Sequence, residues 1–335
     1  MKIAAISNAA FVLLFLAARV CPTGQEIKLQ DIPPEGIGPS AALSPRALES
    51  APLDPARRAS LEEAIRNRDF ARAETLLVEE IERNPKSPAL LTLLGGVFFL
   101  DGKYLNSAVA MKKAEALSPL DDRNRFTLAL AYVILNHRDW ARPELEKLAR
   151  SDPRNALYPY WLARLAYDAM HFNAAVANGR KALELDPTFM KGYDNLGLCY
   201  EALGKYDEAI QTYQEAIRLN RQRRLSSPWP PLNLGTLLVK LGRLEEADAS
   251  LRESLRYDPK FPQAHYQLGL LLEKQKKDGE ALQELQEAAA LDPSYPEPHY
   301  VLGRIYRKKG DTKNADAEWN TFQKLKKEKP RERPH

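Results

Sequence analysis

The sequence predicts an all-α solenoid of stacked antiparallel helix pairs, and three columns of residues carry that prediction. Ala73, Ser107, Ala141, Ala175, Ala209, Ala247, Ala281 and Ala315 follow one another at 34 residues, with a single interval of 38 between Ala209 and Ala247. On the same beat, Leu94, Leu128, Leu162, Leu196, Leu234, Leu268 and Leu302 each precede a residue with almost no side chain: Gly95, Ala129, Ala163, Gly197, Gly235, Gly269 and Gly303. A residue that small lets two helices approach closely. Pro85, Pro119, Pro153, Pro187, Pro259 and Pro293 close the units, where a fixed φ and a missing N–H end a helix, and Arg221 interrupts that series. A unit of this length cannot bury its own apolar face and is stable only when stacked on neighbours.

The local pattern is helical in every unit. Leu196, Tyr200 and Leu203, then Ala209, Tyr213, Ala216 and Leu219, place apolar residues three and four apart, the period of one helix face and not of a strand. Gly204 separates the two runs, and Gly102, Gly242 and Gly310 occupy the equivalent turn elsewhere.

With an aromatic or leucine a few residues after the small residue (Phe98, Tyr132, Tyr200, Leu238, Tyr306), the chain from about 54 to 329 resembles the tetratricopeptide repeat family. The stretch YDNLGLCYEALGKYDEAIQTYQEAIRLN, Tyr193 to Asn220, carries the resemblance most fully. The resemblance implies a right-handed superhelix in which the first helix of each pair lines a concave groove, with binding expected in that groove.

Taken in chain order, Lys2, the apolar run Ala9 to Ala18 and Arg19 form a segment, 1–20, that reads as an export signal or an N-terminal anchor. The run is short for a bilayer, which needs roughly 20 apolar residues. Cys21 follows it directly, but Arg19 and Val20 stand where a lipid-attachment site wants small residues. Residues 21–53 are rich in Pro, Gly and Ser and read as a disordered tether, with Asp54 and Pro55 as the cap and first residue of the first helix. Eight units follow, at 54–87, 88–121, 122–155, 156–189, 190–227, 228–261, 262–295 and 296–329, and a basic polar tail occupies 330–335. The first unit has Ser60 and Leu61 in place of leucine and glycine, and the last has Phe322 where Ala182, Ala216 and Ala288 stand, so both read as end caps. The four extra residues within Gln222 to Ser227 are expected to loosen or bend the stack. The array leaves no room for a separate catalytic domain.

Charge argues against nucleic acid. The formal +4 becomes +2 without Lys2 and Arg19, and the tail from Lys324 holds six basic and two acidic residues, so Val20 to Gln323 nets −2. Such a body lacks the broad basic face that phosphates require. Arg218, Arg221, Arg223 and Arg224 form only a local basic cluster.

Catalytic and cofactor signals are absent from the pattern. Gly102-Lys103-Tyr104 is an imperfect phosphate loop, with Val97 and Tyr104 at places that need glycine and a metal-binding hydroxyl, and Gly204-Lys205-Tyr206 repeats it in the same turn. His265 and His299 stand one period apart and could face each other across neighbouring units. Cys199, among apolar helix positions, reads as a packing residue. The sequence therefore implies no catalytic residue, metal or cofactor.

The groove positions that the resemblance implies are Phe99, Phe126, Tyr160, Arg164, Tyr167, Lys191, Asn195, Trp229, Asn233, Tyr266, Tyr300 and Arg304. Aromatic residues with interspersed polar groups suit an extended peptide or a partner helix. A carboxylate clamp of the kind found in the family is excluded, because Trp161 stands where asparagine is needed and Asn195 where arginine is needed. Asn195 and Asn233 make only two rungs of an asparagine ladder. The expected function is a non-catalytic scaffold that holds a partner protein or peptide and assists assembly of a cell-envelope complex, the alternative being an accessory subunit of an envelope enzyme such as a glycosyltransferase or peptidoglycan-modifying complex. The expected location is periplasmic or secreted, with membrane contact only through an uncleaved anchor or a lipidated Cys21.

Overall fold

A computed structural model describes residues 43–328. Its 17 helices among the described residues are the only regular secondary structure there, and none of them is long and apolar enough to cross a membrane. The leader, Cys21 and the 330–335 tail lie outside the described residues. The chain divides between Pro153 and Arg154 into two compact units. The division falls two residues from an expected repeat boundary.

The first unit contains α1 (Pro45–Ser50), α2 (Pro55–Arg66), α3 (Phe70–Arg83), α4 (Pro88–Leu100), α5 (Tyr104–Leu117), α6 (Asp122–Ile134) and α7 (Arg138–Ser151). Its helices start where capping chemistry places them. Asp54, Asp69, Ser87 and Asp121 each accept a backbone N–H from the first turn that follows, and Pro55 and Pro88 occupy first-turn positions where no N–H is needed. The second unit contains α8 (Leu157–Asp168), α9 (Phe172–Leu185), α10 (Met190–Ala202), α11 (Tyr206–Arg223), α12 (Trp229–Leu241), α13 (Leu244–Tyr257), α14 (Pro262–Lys274), α15 (Asp278–Leu291), α16 (Pro296–Lys308) and α17 (Thr312–Glu328).

Each hairpin turns through one residue in the left-handed region. Arg68, Gly102, Asn136, Met170, Gly204, Gly242, Lys276 and Gly310, with φ between 56° and 81°, form a complete column at the repeat spacing. Glycine marks four of these turns because it adopts positive φ without a Cβ clash. Asn136 is a residue type that tolerates the same region, whereas at Arg68, Met170 and Lys276 the turn is imposed on residues that rarely adopt it.

The small-residue column closes the hairpins that follow the first. A Cβ added at Gly197 would meet Tyr213 at 2.4 Å, at Gly235 Leu251 at 2.7 Å, at Gly269 Leu285 at 2.6 Å and at Gly303 Trp319 at 2.4 Å. The large side chain sixteen residues on fills the space that the glycine leaves. The residue sixteen beyond Ala163 is Gly179, whose added Cβ would meet Leu196 of α10 at 3.2 Å.

Within the second unit α8, α10, α12, α14 and α16 pack side by side, whereas no comparable packing joins successive second helices. The first helices thus form the inner wall of that unit. Two expectations are corrected. Residues 43–53 are not tether, because Leu43, Leu48, Ala51 and Leu53 are buried and α1 forms among them. The insertion does not loosen its junction. It adds a turn to α11, and the Asn220 side chain then donates to Ser227 O (2.8 Å) and accepts from Ser227 N (3.0 Å), while Ser254 Oγ donates to Pro228 O (2.8 Å). Arg221 adds an ion pair to the buried Glu253, with Nε 2.7 Å from Oε1.

Candidate functional site

The inner wall sorts the expected groove residues by how much of each side chain is left uncovered. In the first unit Phe99 and Phe126 have no exposure at all. Phe99, in the last turn of α4, packs edge-on against Tyr104 across the hairpin turn, centroids 5.2 Å apart. Both rings are part of the packing and leave the groove set, because apolar first-helix positions are needed first to seal the stack.

In the second unit Tyr160 and Arg164 are also buried. The Tyr160 ring lies edge-on to Phe189 (4.9 Å) and Trp161 (5.5 Å), and its hydroxyl accepts a bond from Arg164 Nη1 (3.2 Å). The Arg164 guanidinium sits 5.3 Å from the Trp161 centroid, a cation–π arrangement. Neither side chain offers a free surface. Tyr167 is half-buried against Phe172 (5.6 Å), and Lys191 is half-buried on α10.

The two asparagines do not act as a ladder. Asn233 Nδ2 donates to Asp194 Oδ1 (2.9 Å), tying α12 to α10, and Asn195 is buried with its Oδ1 unbonded. Trp229 packs edge-on against Phe261 (4.8 Å) and Tyr266 against Tyr295 (5.3 Å), both half-buried. Burial pushes the Tyr266 and Tyr295 hydroxyls upward in pKa, so both rings stay neutral at ordinary pH.

One device unites these pairs. A first-helix aromatic meets a ring at the residue just before a later first helix: Tyr160 with Phe189, Trp229 with Phe261, Tyr266 with Tyr295. Phe189, Phe261 and Tyr295 were not among the residues expected from sequence. Their signal was present, since all three hold one column of the repeat, immediately ahead of a first helix.

Tyr300 departs from the pattern. It lies on α16, 47% exposed, with Phe322 of α17 as its aromatic neighbour at 5.3 Å. Arg304, exposed one turn on, stands 5.9 Å from the Tyr300 centroid and donates from Nε to Glu273 Oε1 of α14 (2.9 Å). Its Nη2 contacts Glu273 Oε2 as well, giving a bidentate pair. Those bonds raise the Arg304 pKa first of all, so the cation is permanent. Tyr266, Glu273, Tyr300 and Arg304 therefore form a half-open aromatic and ionic patch across α14 and α16.

The histidines do not meet. His265 Nδ1 lies 2.7 Å from Glu284 Oε2 and His299 Nδ1 lies 2.6 Å from Glu318 Oε2, so each imidazole bonds to the second helix of its own hairpin. Cys199 is fully buried, and burial pushes its thiol up to about 12. It is a packing residue.

Family profiles described as tetratricopeptide repeat match residues 59–122, 193–223 and 232–296. Over these segments the chain carries tetratricopeptide repeats. The turn column and the small-residue column extend the same geometry through the hairpins between and beyond those segments. Among solved structures, yeast Tom70 is similar with a TM-score of 0.61 at 18% identity, over 86% of this chain and 65% of that one. A tetratricopeptide repeat protein from Parabacteroides merdae is similar with a TM-score of 0.61 at 16% identity, over 82% and 99%. PilW, a type IV pilus biogenesis factor, has a TM-score of 0.56 at 20% identity, over 60% and 92%. At these identities the likeness is one of fold. No curated protein matched the chain.

Proposed function

We propose that this protein is a non-catalytic scaffold that holds a partner polypeptide on the inner wall of its second unit, with Tyr300 and Arg304 as the main contacts and Tyr266 beside them. The observation that carries the reading is the exposure of Tyr300 in a column whose other aromatics are covered. Tyr and Arg are enriched where interfaces concentrate their binding energy, because a rigid ring or planar guanidinium gives contact area for little lost freedom. The Arg304–Glu273 pair presents both signs of charge beside the ring, which suits the polar backbone and side chains of a peptide.

The finer reading is assembly of a cell-envelope complex by an exported protein. Its support is the apolar run Ala9 to Ala18 between Lys2 and Arg19, together with the fold shared with PilW. Affinity capture from envelope fractions tests both levels. A partner recovered by the wild-type chain should be lost by Tyr300→Ala with Arg304→Ala, while the thermal melt stays within about 2 °C because both side chains are largely exposed. Retention of the partner by that variant refutes the assignment of the site, and recovery of the chain only from the cytosol refutes the envelope reading.

A further inference from the structure

The junction between the first two hairpins is built unlike the next one in the first unit. Elsewhere in the first unit α4 and α6 pack side by side as successive first helices do, but α2 and α4 are bridged by α1, which packs on both. Residues 43–53 bring Leu43, Leu48, Ala51 and Leu53 into one apolar cluster with Leu61, Leu94 and Phe98. The segment is held almost entirely by those side chains. Among the described residues its polar tie to the hairpins is Arg58 Nη2, which donates to Leu53 O at 3.3 Å, and neither Arg46 nor Glu49 forms an ion pair there. A six-residue helix is far below the length that is stable alone in water, so its shape is imposed by the surface it lies on. Those are the properties of a bound peptide.

We propose that the cleft between α2 and α4 is a binding site for a short leucine-bearing helix, occupied in cis by residues 43–53. A partner segment with the same chemistry, a Ser-Pro helix start and leucines five residues apart as in Leu43, Leu48 and Leu53, takes its place in exchange. Removing the resident segment leaves an apolar gap lined by Leu61, Leu94 and Phe98, which favours a replacement over water. A competing resident lowers the apparent affinity for any incoming segment by the fraction of time the cleft is empty. The site is built only from residues of the first unit, and the proposal does not rest on the reading of the inner wall of the second.

The test uses the full chain and a fluorescent peptide of residues 41–55 as the probe. Leu48→Asp with Leu53→Asp should free the cleft, so the variant binds the peptide at least about tenfold more tightly than the wild-type chain, where the resident segment competes. A peptide carrying Leu48→Asp should bind neither protein, and Tyr300→Ala should leave the binding unchanged. A variant that keeps its helical circular dichroism yet binds no peptide overturns the proposal. Should the variant not fold, hydrogen exchange on the wild-type chain decides. Excess peptide should speed exchange at Leu48, Ala51 and Leu53, whose amides bond within the segment, and unchanged exchange there also overturns it.

Discussion

Substituting Gly197 by alanine tests the packing rule on which the whole array rests. The new Cβ would stand 2.4, 2.6 and 2.9 Å from three carbons of the Tyr213 ring, where ordinary contact begins at 3.4 Å. Either α10 and α11 part by about 1 Å or the ring moves, and Tyr213 has no exposed side to move toward. Its hydroxyl is also tethered to Glu201 Oε2 at 3.4 Å. Overpacking of this kind costs about 1–3 kcal/mol, against which the better helix propensity of alanine returns about 1 kcal/mol. With the clash so close and the ring enclosed, the net should be a loss of about 1–2 kcal/mol, or a fall of roughly 2–8 °C in the melting of a unit this size. Gly279→Ala is the matched control, because nothing lies within 4 Å of its added Cβ. It should leave stability unchanged or raise it by up to about 1 kcal/mol. Urea titration of both variants beside the wild type measures the difference. Equal or greater stability for Gly197→Ala would refute the argument that the small-residue column exists to admit the facing side chain.

Three further outcomes follow from the burial and bonding of particular groups. Tyr160→Ala with Trp229→Ala should lower the melting temperature sharply, since truncating a buried aromatic costs about 3–5 kcal/mol, and any lost binding would be secondary to that loss. The bond from Glu284 raises the pKa of His265, with burial opposing it, so the pair adds stability in full below pH 6.5 and loses it as pH climbs through the raised folded value. His265→Gln should flatten that part of the stability-against-pH curve, and an unchanged slope between pH 6 and 8 would exclude the linkage. Cys199, with its thiol near 12, should resist alkylation by iodoacetamide at pH 8 until the protein is unfolded by denaturant.

Fold and site differ in how far the sequence reveals them. Repetition makes the fold legible, because a packing requirement met eight times leaves the same residue type at the same spacing. The glycine and alanine columns are of that kind. The turn column is only partly so, since Arg68, Met170 and Lys276 adopt the same positive φ as the glycines and Asn136 without any local preference that would announce it. The segment 43–53 was read as tether because Pro and Ser dominate its surroundings, yet four apolar side chains at irregular spacing suffice to fold it against a preformed cleft. For the site, the family geometry identifies first-helix positions but not which are already filled. Phe99, Phe126 and Tyr160 are aromatic because the stack needs large side chains there. Their residue type is the same whether they face a ligand or a neighbouring helix.

The coverage rule also explains why the open surface falls where it does. Tyr160 is covered by Phe189 and Tyr266 by Tyr295, each supplied by the residue that opens the next first helix. Tyr300 occupies the same column as those two, but its aromatic neighbour is Phe322 of α17 rather than a residue ahead of a first helix. Phe322 meets the ring from α17, at a tilted 50°, and leaves nearly half of it in solvent. The open half of the ring suits an aromatic or large aliphatic side chain approaching edge-on, the geometry that aromatic pairs prefer. A partner that inserts such a residue completes a contact the array makes internally twice over. Arg304, already fixed by Glu273, lies beside it to receive the carbonyl groups that flank that residue.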